Sequence, residues 1–152
     1  MSSQPFSRLL TEAIGPMMRR PPQLQVAALC TRKGAQGLEV LLVTSRGTGR
    51  WILPKGWPMP RRSLSEAAAI EAWEEAGVRG RVEDSPLGDY EAQKDTDGGL
   101  AVPCRVAVYR LHVDSLSDKF PEAAMRNRRW FPPAEAATLV REPELQRILC
   151  AL

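Results

Sequence analysis

Histidine is nearly missing from this 152-residue chain, with His112 its sole representative. That excludes a multi-histidine zinc centre and leaves one possible base for a serine–histidine triad. Cysteine is also scarce: Cys30, Cys104 and Cys150 are an odd number without C-x-x-C spacing. They read as buried structural thiols in a reducing compartment, so a cytoplasmic protein is expected. No apolar run approaches the roughly 20 residues of a membrane span. Residues 1–20 lack a long apolar core followed by a small-residue cleavage pattern, so neither a membrane partner nor a signal peptide is expected. Aromatic residues are 6% of the chain and no nucleic-acid-binding motif stands out, so no nucleic-acid partner is expected despite a pI near 9.0. Repeats and low-complexity tracts are absent. What is present, 43% apolar residues and four Trp, suits one folded domain that buries about two-thirds of its surface.

The net charge of +3 conceals a division. Residues 1–62 hold ten Arg and Lys against two acids, Glu12 and Glu39, whereas residues 63–152 hold eleven against sixteen. Such asymmetry implies a basic surface facing an anionic partner. Arg outnumbers Lys 17 to 4, and its planar fork suits bidentate phosphate contacts.

Residues 1–22 read as an N-terminal extension, with Gly15-Pro16 and Pro21-Pro22 as breakers, and residues 23–152 as the domain. Strands are expected at Leu24–Thr31 and Leu38–Ser45, joined as a hairpin through Lys33, Gly34 and Gly37. Further strands are expected at Trp51–Leu53, Val78–Val82, Leu87–Glu91, Val102–Val113 and Arg128–Phe131, with residues 93–99 as a polar loop or hairpin tip. Leu64–Ala76 has sharp helix punctuation. Ser63 and Glu66 make a capping box, and Gly77 sits at the C-terminal stop. Pro133–Leu152 reads as helix with a break near Glu142-Pro143. This mixture predicts an α/β (α+β) domain, a mixed sheet with helices on its faces.

The helix carries the chemistry. Glu71, Glu74 and Glu75 stand at i, i+3 and i+4, on one face. Like charges at those spacings cost about 0.2–0.5 kcal/mol each, and acids near the negative end of the helix dipole cost a further ~0.3–1 kcal/mol. A cation should compensate, and clustered hard oxygen ligands select Mg2+ or Mn2+. A solvated acidic face is the competing explanation. The preceding loop, Trp51 through Pro60, favours the first: Gly56 permits close backbone approach, while Pro54, Pro58 and Pro60 stiffen the chain around it.

Strand, rigid glycine loop, helix with clustered carboxylates and glycine stop together resemble the Nudix hydrolase box, G-x5-E-x7-R-E-U-x-E-E-x-G-U with U apolar. Gly56, Glu71, Glu74, Glu75, Gly77 and Val78 fall in register without a gap over 23 residues. Two positions depart: Arg62 stands at the first Glu and Ile70 at the Arg. In the family these residues commonly pair and brace the loop. Here both are changed together, so neither charge is stranded. The resemblance extends over about residues 24–140. Glu39–Arg46, Trp51–Gly56 and Asn127–Phe131 are similar to the diphosphoinositol polyphosphate phosphohydrolase branch, which also cleaves dinucleoside polyphosphates.

The resemblance implies an α/β/α sandwich with a central mixed sheet, and a Mg2+-dependent hydrolase of a phosphoanhydride bond in a small phosphorylated molecule. Glu71, Glu74 and Glu75, with the Gly56 carbonyl, would hold the metal and carry catalysis. Arg46 and Lys55 would bind substrate phosphates, with Arg20, Arg128 or Arg129 as further clamps. The base is open between Glu74 and Glu75, with Glu91 as a third candidate. From the residues alone, Arg126, Arg128 and Arg129 read as a solvated patch, Trp73 as core, Trp57 as packing and His112 as structural. The alternative function is a Nudix-fold binding or regulatory module that has lost catalysis, and monomer and homodimer are both compatible with the chain.

Overall fold

The computed structural model describes residues 23–95 and 101–152; the expected extension at 1–22, with Arg20, and residues 96–99 of the expected polar loop lie outside them, while residues 93–95 of that loop prove to be strand, paired with the strand that follows. Eight strands form one mixed sheet: β1 (Gln23–Gly34), β2 (Gly37–Thr44), β3 (Trp51–Ile52), β4 (Lys55–Gly56), β5 (Val78–Val82), β6 (Gly88–Asp95), β7 (Ala101–Leu116) and β8 (Arg128–Phe131). Among the described residues the helices are α1 (Leu64–Ala76), α2 (Pro133–Leu139) and α3 (Pro143–Cys150). The expected break near Glu142-Pro143 separates α2 from α3, with a proline in the first turn of each. No helix among the described residues is long and apolar enough to cross a membrane.

The main path runs β3-β2-β1-β7-β5, with β4 on β1, β6 on β7 and β8 on β2. The β1–β7 pairing is parallel and the others are antiparallel. The β1–β2 hairpin pairs only from Gly34↔Gly37 to Thr31↔Val40. Beyond that point the strands part. β3 continues along β2 at Val43↔Ile52, and β4 continues along β1 at Val26↔Gly56. The Ala28 amide also donates to the Pro54 carbonyl at 3.0 Å. The proline-stiffened loop is therefore wedged into a split in the sheet, and β4 is a two-residue strand that the sequence did not announce.

Strand alternation sorts the core into two layers. Val26, Ala28 and Cys30 of β1, with Leu41 and Val43 of β2, face Ala67, Ala68, Ala72 and Ala76 of α1. Ala27 and Leu29, with Val40 and Leu42, face Ala136, Ala137, Leu145 and Leu149 of α2 and α3. This is the expected sandwich. Small alanines on α1 let the helix lie close to the sheet, so its carboxylates reach the wedge.

Both expected caps of α1 are formed. Ser63 Oγ accepts from the Glu66 amide at 3.1 Å, and Glu66 Oε1 accepts from the Ser63 amide at 3.3 Å. Gly77 takes the left-handed conformation at φ 67°, and its amide donates to Trp73 O at 3.0 Å. The helix has no basic residue in its last turn. Arg128 of β8 supplies the cation instead, donating to the Ala76 carbonyl at 2.6 Å and the Ser117 carbonyl at 2.7 Å. A Cβ at Gly77 would collide with Ser117 O, Phe120 Cδ1 and Arg128 Nη1. Gly77→Ala should therefore cost at least the ~1–2 kcal/mol of a left-handed L-residue, read by urea unfolding. A loss below about 0.5 kcal/mol would show that the cap relaxes freely.

Candidate active site

The site forms where α1 crosses the wedge. Glu71 and Glu75 point from α1 toward β4. The Glu71 carboxylate lies so close to Gly56 that a Cβ built there would overlap it. Glu75 Oε2 accepts from the Lys55 amide at 3.1 Å. Glycine at 56 is thus required by close approach between loop and helix, since its φ is not among the positive values.

Glu75 has a second partner. Its Oε1 accepts from Arg126 Nη2 at 3.0 Å, and the two side chains are only 6% and 9% exposed. The same Nη2 reaches Glu122 Oε1 at 3.3 Å, while Arg126 Nη1 donates to the Thr44 carbonyl at 3.0 Å. Arg46 approaches Glu122 at 3.7 Å from the rim and is 62% exposed. The Glu122 amide donates to the Glu74 carbonyl at 2.9 Å, tying the segment before β8 to α1.

Burial dominates the electrostatics. It raises the Glu71 carboxyl to about 7, with repulsion from Glu74 and Glu122 adding to the rise and Arg126 opposing it. Burial also raises Glu75 to about 7, against the lowering effect of Arg126 and the Lys55 amide. One buried guanidinium faces more carboxylates than it can neutralise. The excess is of hard oxygen donors, the donor type that Mg2+ and Mn2+ prefer.

On the other side of the wedge Lys55 Nζ donates to Gln25 Oε1 at 3.0 Å, and Gln25 is 4% exposed. Burial lowers the Lys55 ammonium from its ordinary value, offset in part by Cys104, Glu75 and Glu142. Nearby, Arg50 Nη1 meets the buried Glu142 carboxylate at 2.7 Å. A cationic, partly dehydrated floor therefore adjoins the acidic helix face.

Of the residues expected from sequence, Gly56, Lys55, Glu71 and Glu75 come together, Glu74 lies beside Glu71, and Arg46 stands at the rim through Glu122. Among the described residues no three His, Cys, Asp or Glu side chains already stand at metal-ligand spacing. Glu75 is turned instead to Arg126 and the Lys55 amide. Four readings need correction. Arg126 is no part of a solvated patch; it is the buried partner of Glu75. Arg128 is committed to the helix end and Asp118, and only Arg129 is exposed. Trp73 is half-buried under the Arg79 guanidinium, 4.1 Å from its ring centre, rather than in the core. Cys150 of α3 is exposed rather than buried, unlike Cys30 and Cys104. Glu91 is exposed on β6, its amide bound to Glu144, and His112 pairs with Glu83 at 2.8 Å. Sequence reasoning missed Arg126, Gln25, Arg50 and Glu142. The one available signal was Gln25, a polar residue in phase with the inward-facing Ala27 and Leu29.

The family model of the NUDIX domain matches residues 21–152. The chain belongs to the Nudix family. It is 35% identical over 119 residues to Nudix hydrolase 12, mitochondrial, of Arabidopsis thaliana, covering 74% of this chain and 57% of that relative. This Nudix chain thus spans less than two-thirds of that plant protein. It is 31% identical over 119 residues to human (Homo sapiens) diphosphoinositol polyphosphate phosphohydrolase 3-alpha, covering 77% of this chain and 68% of the relative. The fold matches a crystal structure of C. elegans Ap4A hydrolase with a TM-score of 0.60 at 19% identity, over 86% of this chain and 95% of the other. It also matches the NUDIX domain of Shewanella oneidensis NrtR complexed with ADP ribose, TM-score 0.64 at 18% identity, over 98% and 95% of the two chains.

The raised carboxyls set a pH dependence. Glu71 and Glu75 hold protons more tightly in the folded Nudix domain than unfolded, where both titrate near 4.5. Their contribution favours the fold below about pH 4.5 and is lost as pH rises through about 7. Glu66, Glu83 and Glu144 are held below the ordinary carboxyl range and titrate outside that window. The chelated protein should therefore lose thermal stability between about pH 5 and about pH 8, and Glu71→Gln should flatten that slope. A Tm that rises across this interval, or a slope unchanged in the variant, would contradict the assignment.

Proposed function

We propose that this chain is a divalent-metal-dependent hydrolase of a phosphoanhydride bond in a multiply phosphorylated small molecule, such as a dinucleoside polyphosphate or a diphosphoinositol polyphosphate. The observation that carries this reading is the surplus of buried carboxylate at Glu71 and Glu75 against a glycine loop, beside the partly dehydrated Lys55. The names of the human and nematode relatives, a diphosphoinositol polyphosphate phosphohydrolase and an Ap4A hydrolase, support the substrate class.

The donor set fits Mg2+, with Mn2+ as a substitute. Glu71, Glu74 and Glu75 would hold the ion together with the Gly56 carbonyl. When bound, the ion would neutralise phosphate charge and acidify a bound water. The chain's own residues do the rest. The Lys55 ammonium, fixed by Gln25, offers a cation that has already shed part of its hydration to a phosphate oxygen. Arg46, more exposed, adds a mobile cation at the rim. Glu74 or Glu75 accepts the proton of the attacking water. Phosphoanhydride cleavage depends on positioning and charge neutralisation, which these groups provide without a covalent nucleophile.

A second reading, a binding module without turnover, is favoured by Arg62 and Ile70. The box's own ion pair is replaced by an exposed Arg62–Glu66 contact at 3.5 Å and a half-buried isoleucine.

A substrate panel with and without Mg2+ or Mn2+ decides between them: diadenosine polyphosphates, a diphosphoinositol polyphosphate, nucleoside triphosphates, ADP-ribose and a nucleotide sugar. Metal-stimulated cleavage with preference for the most highly phosphorylated members is expected. Binding without product release would favour the module. Glu75→Gln should lower kcat on the order of 10²–10³-fold with the fold intact, and wild-type turnover in that variant would discard the mechanism. Lys55→Met should raise KM roughly 10- to 100-fold, the value of one charge-assisted hydrogen bond. An unchanged KM would remove Lys55 from the substrate site.

A further inference from the structure

Arg126 holds three partners with two nitrogens: the Thr44 carbonyl through Nη1, and Glu75 and Glu122 through Nη2. Its Nε is buried with no hydrogen-bond partner among the described residues. Only one of these contacts involves a carboxylate of the Nudix box, Glu75, and that contact is exchangeable on both sides. If Glu75 Oε1 let go, Arg126 would still be neutralised by Glu122 and anchored by Thr44. Glu75 would still be anchored at Oε2 by the Lys55 amide. Neither charge would be stranded in the interior, the outcome that makes breaking most buried ion pairs costly.

We infer that Arg126 is a resident counter-cation that competes with the divalent ion for Glu75 Oε1, and so sets the metal affinity of the site. This rests on the metal-dependent reading above. Arg126 is a positioning residue: it acts through Glu75 and touches no reacting atom. Its place in the chain follows from the two departures in the box. With Ile70 in place of the arginine and Arg62 paired outward to Glu66, the acidic face of α1 gets its buried cation from the segment before β8, beside the metal ligands. A cation there brakes metal binding as well as stabilising the metal-free fold. By linkage, metal bound at Glu75 weakens the Arg126 contact by the same factor that Arg126 weakens the metal.

A purely structural Arg126 gives the opposite sign. Losing a structural anchor would disorganise the carboxylates and weaken metal binding, whereas losing a competitor tightens it. The test is Mn2+ binding, followed by electron paramagnetic resonance of the free ion at fixed pH and ionic strength, with circular dichroism to verify folding. Arg126→Gln should bind Mn2+ about tenfold more tightly than wild type, within the 5- to 150-fold range of ordinary site coupling. Arg126→Lys, which keeps the charge, should stay near wild type. Equal or weaker binding by Arg126→Gln overturns the inference, and so does a Lys variant as tight as the Gln variant. Wild-type protein that binds no Mn2+ would instead overturn the metal-dependent reading itself. Should Arg126→Gln fail to fold, the wild-type guanidinium reports directly. Its 15N side-chain resonances should move on Mg2+ addition as the Glu75 contact breaks, and resonances that stay fixed at saturating Mg2+ overturn the inference.

Discussion

Burying carboxylates on α1 without enough positive charge to match them is the constraint around which this domain is arranged. Glu71 and Glu75 sit at the crossing of helix and wedge, pushed up to about 7 by loss of water. Each neighbouring feature answers that cost in a different way. Gly56 lets the loop backbone approach Glu71, the Lys55 amide donates to Glu75, and Arg126 brings a largely buried guanidinium into contact. Together they lower that cost while leaving carboxylate in excess, so the face stays attractive to a cation, as complete neutralisation would not.

The sheet makes this possible by splitting. β1 and β2 separate after Thr31↔Val40, and the chain from Trp51 to Gly56 fills the gap by pairing first with one and then with the other. A continuous hairpin would have sealed the position where the loop meets the helix. The segment before β8 closes the other side, with the Thr44 carbonyl and hydroxyl receiving Arg126 and the Asn127 amide. Three stretches distant in sequence, 44–56, 71–75 and 122–128, are thereby fixed to one another by hydrogen bonds and ion pairs rather than by apolar packing alone.

Most of the elements were legible because they rest on local chemistry. The capping box at Ser63 and Glu66, the Gly77 stop and the proline starts of α2 and α3 are signals within a few residues, and each produced the expected boundary. The box carboxylates were legible for the same reason: their spacing fixes their common face once the helix is given. Arg126 was illegible. In the run Arg126-Asn127-Arg128-Arg129 nothing local distinguishes a buried ion-pair partner from a helix-end cap or a surface charge, and the three arginines have those three different fates. Trp73 was misread because its ring is covered by the Arg79 guanidinium rather than by apolar core, a contact that spacing along α1 does not reveal.

A mixed sheet with helices on its faces, the limits of α1 and the shared face of its acidic residues were readable from the chain itself. All of these depend on contacts between residues close in the chain or on period-2 and period-3.6 patterning. The tertiary structure alone decided which cation meets which carboxylate, that Gln25 steers Lys55, and that Arg50 lies against Glu142. Those pairings join residues 30 to more than 90 positions apart. Their energies depend on how much water the fold removes from each charge, a quantity that burial sets and composition does not.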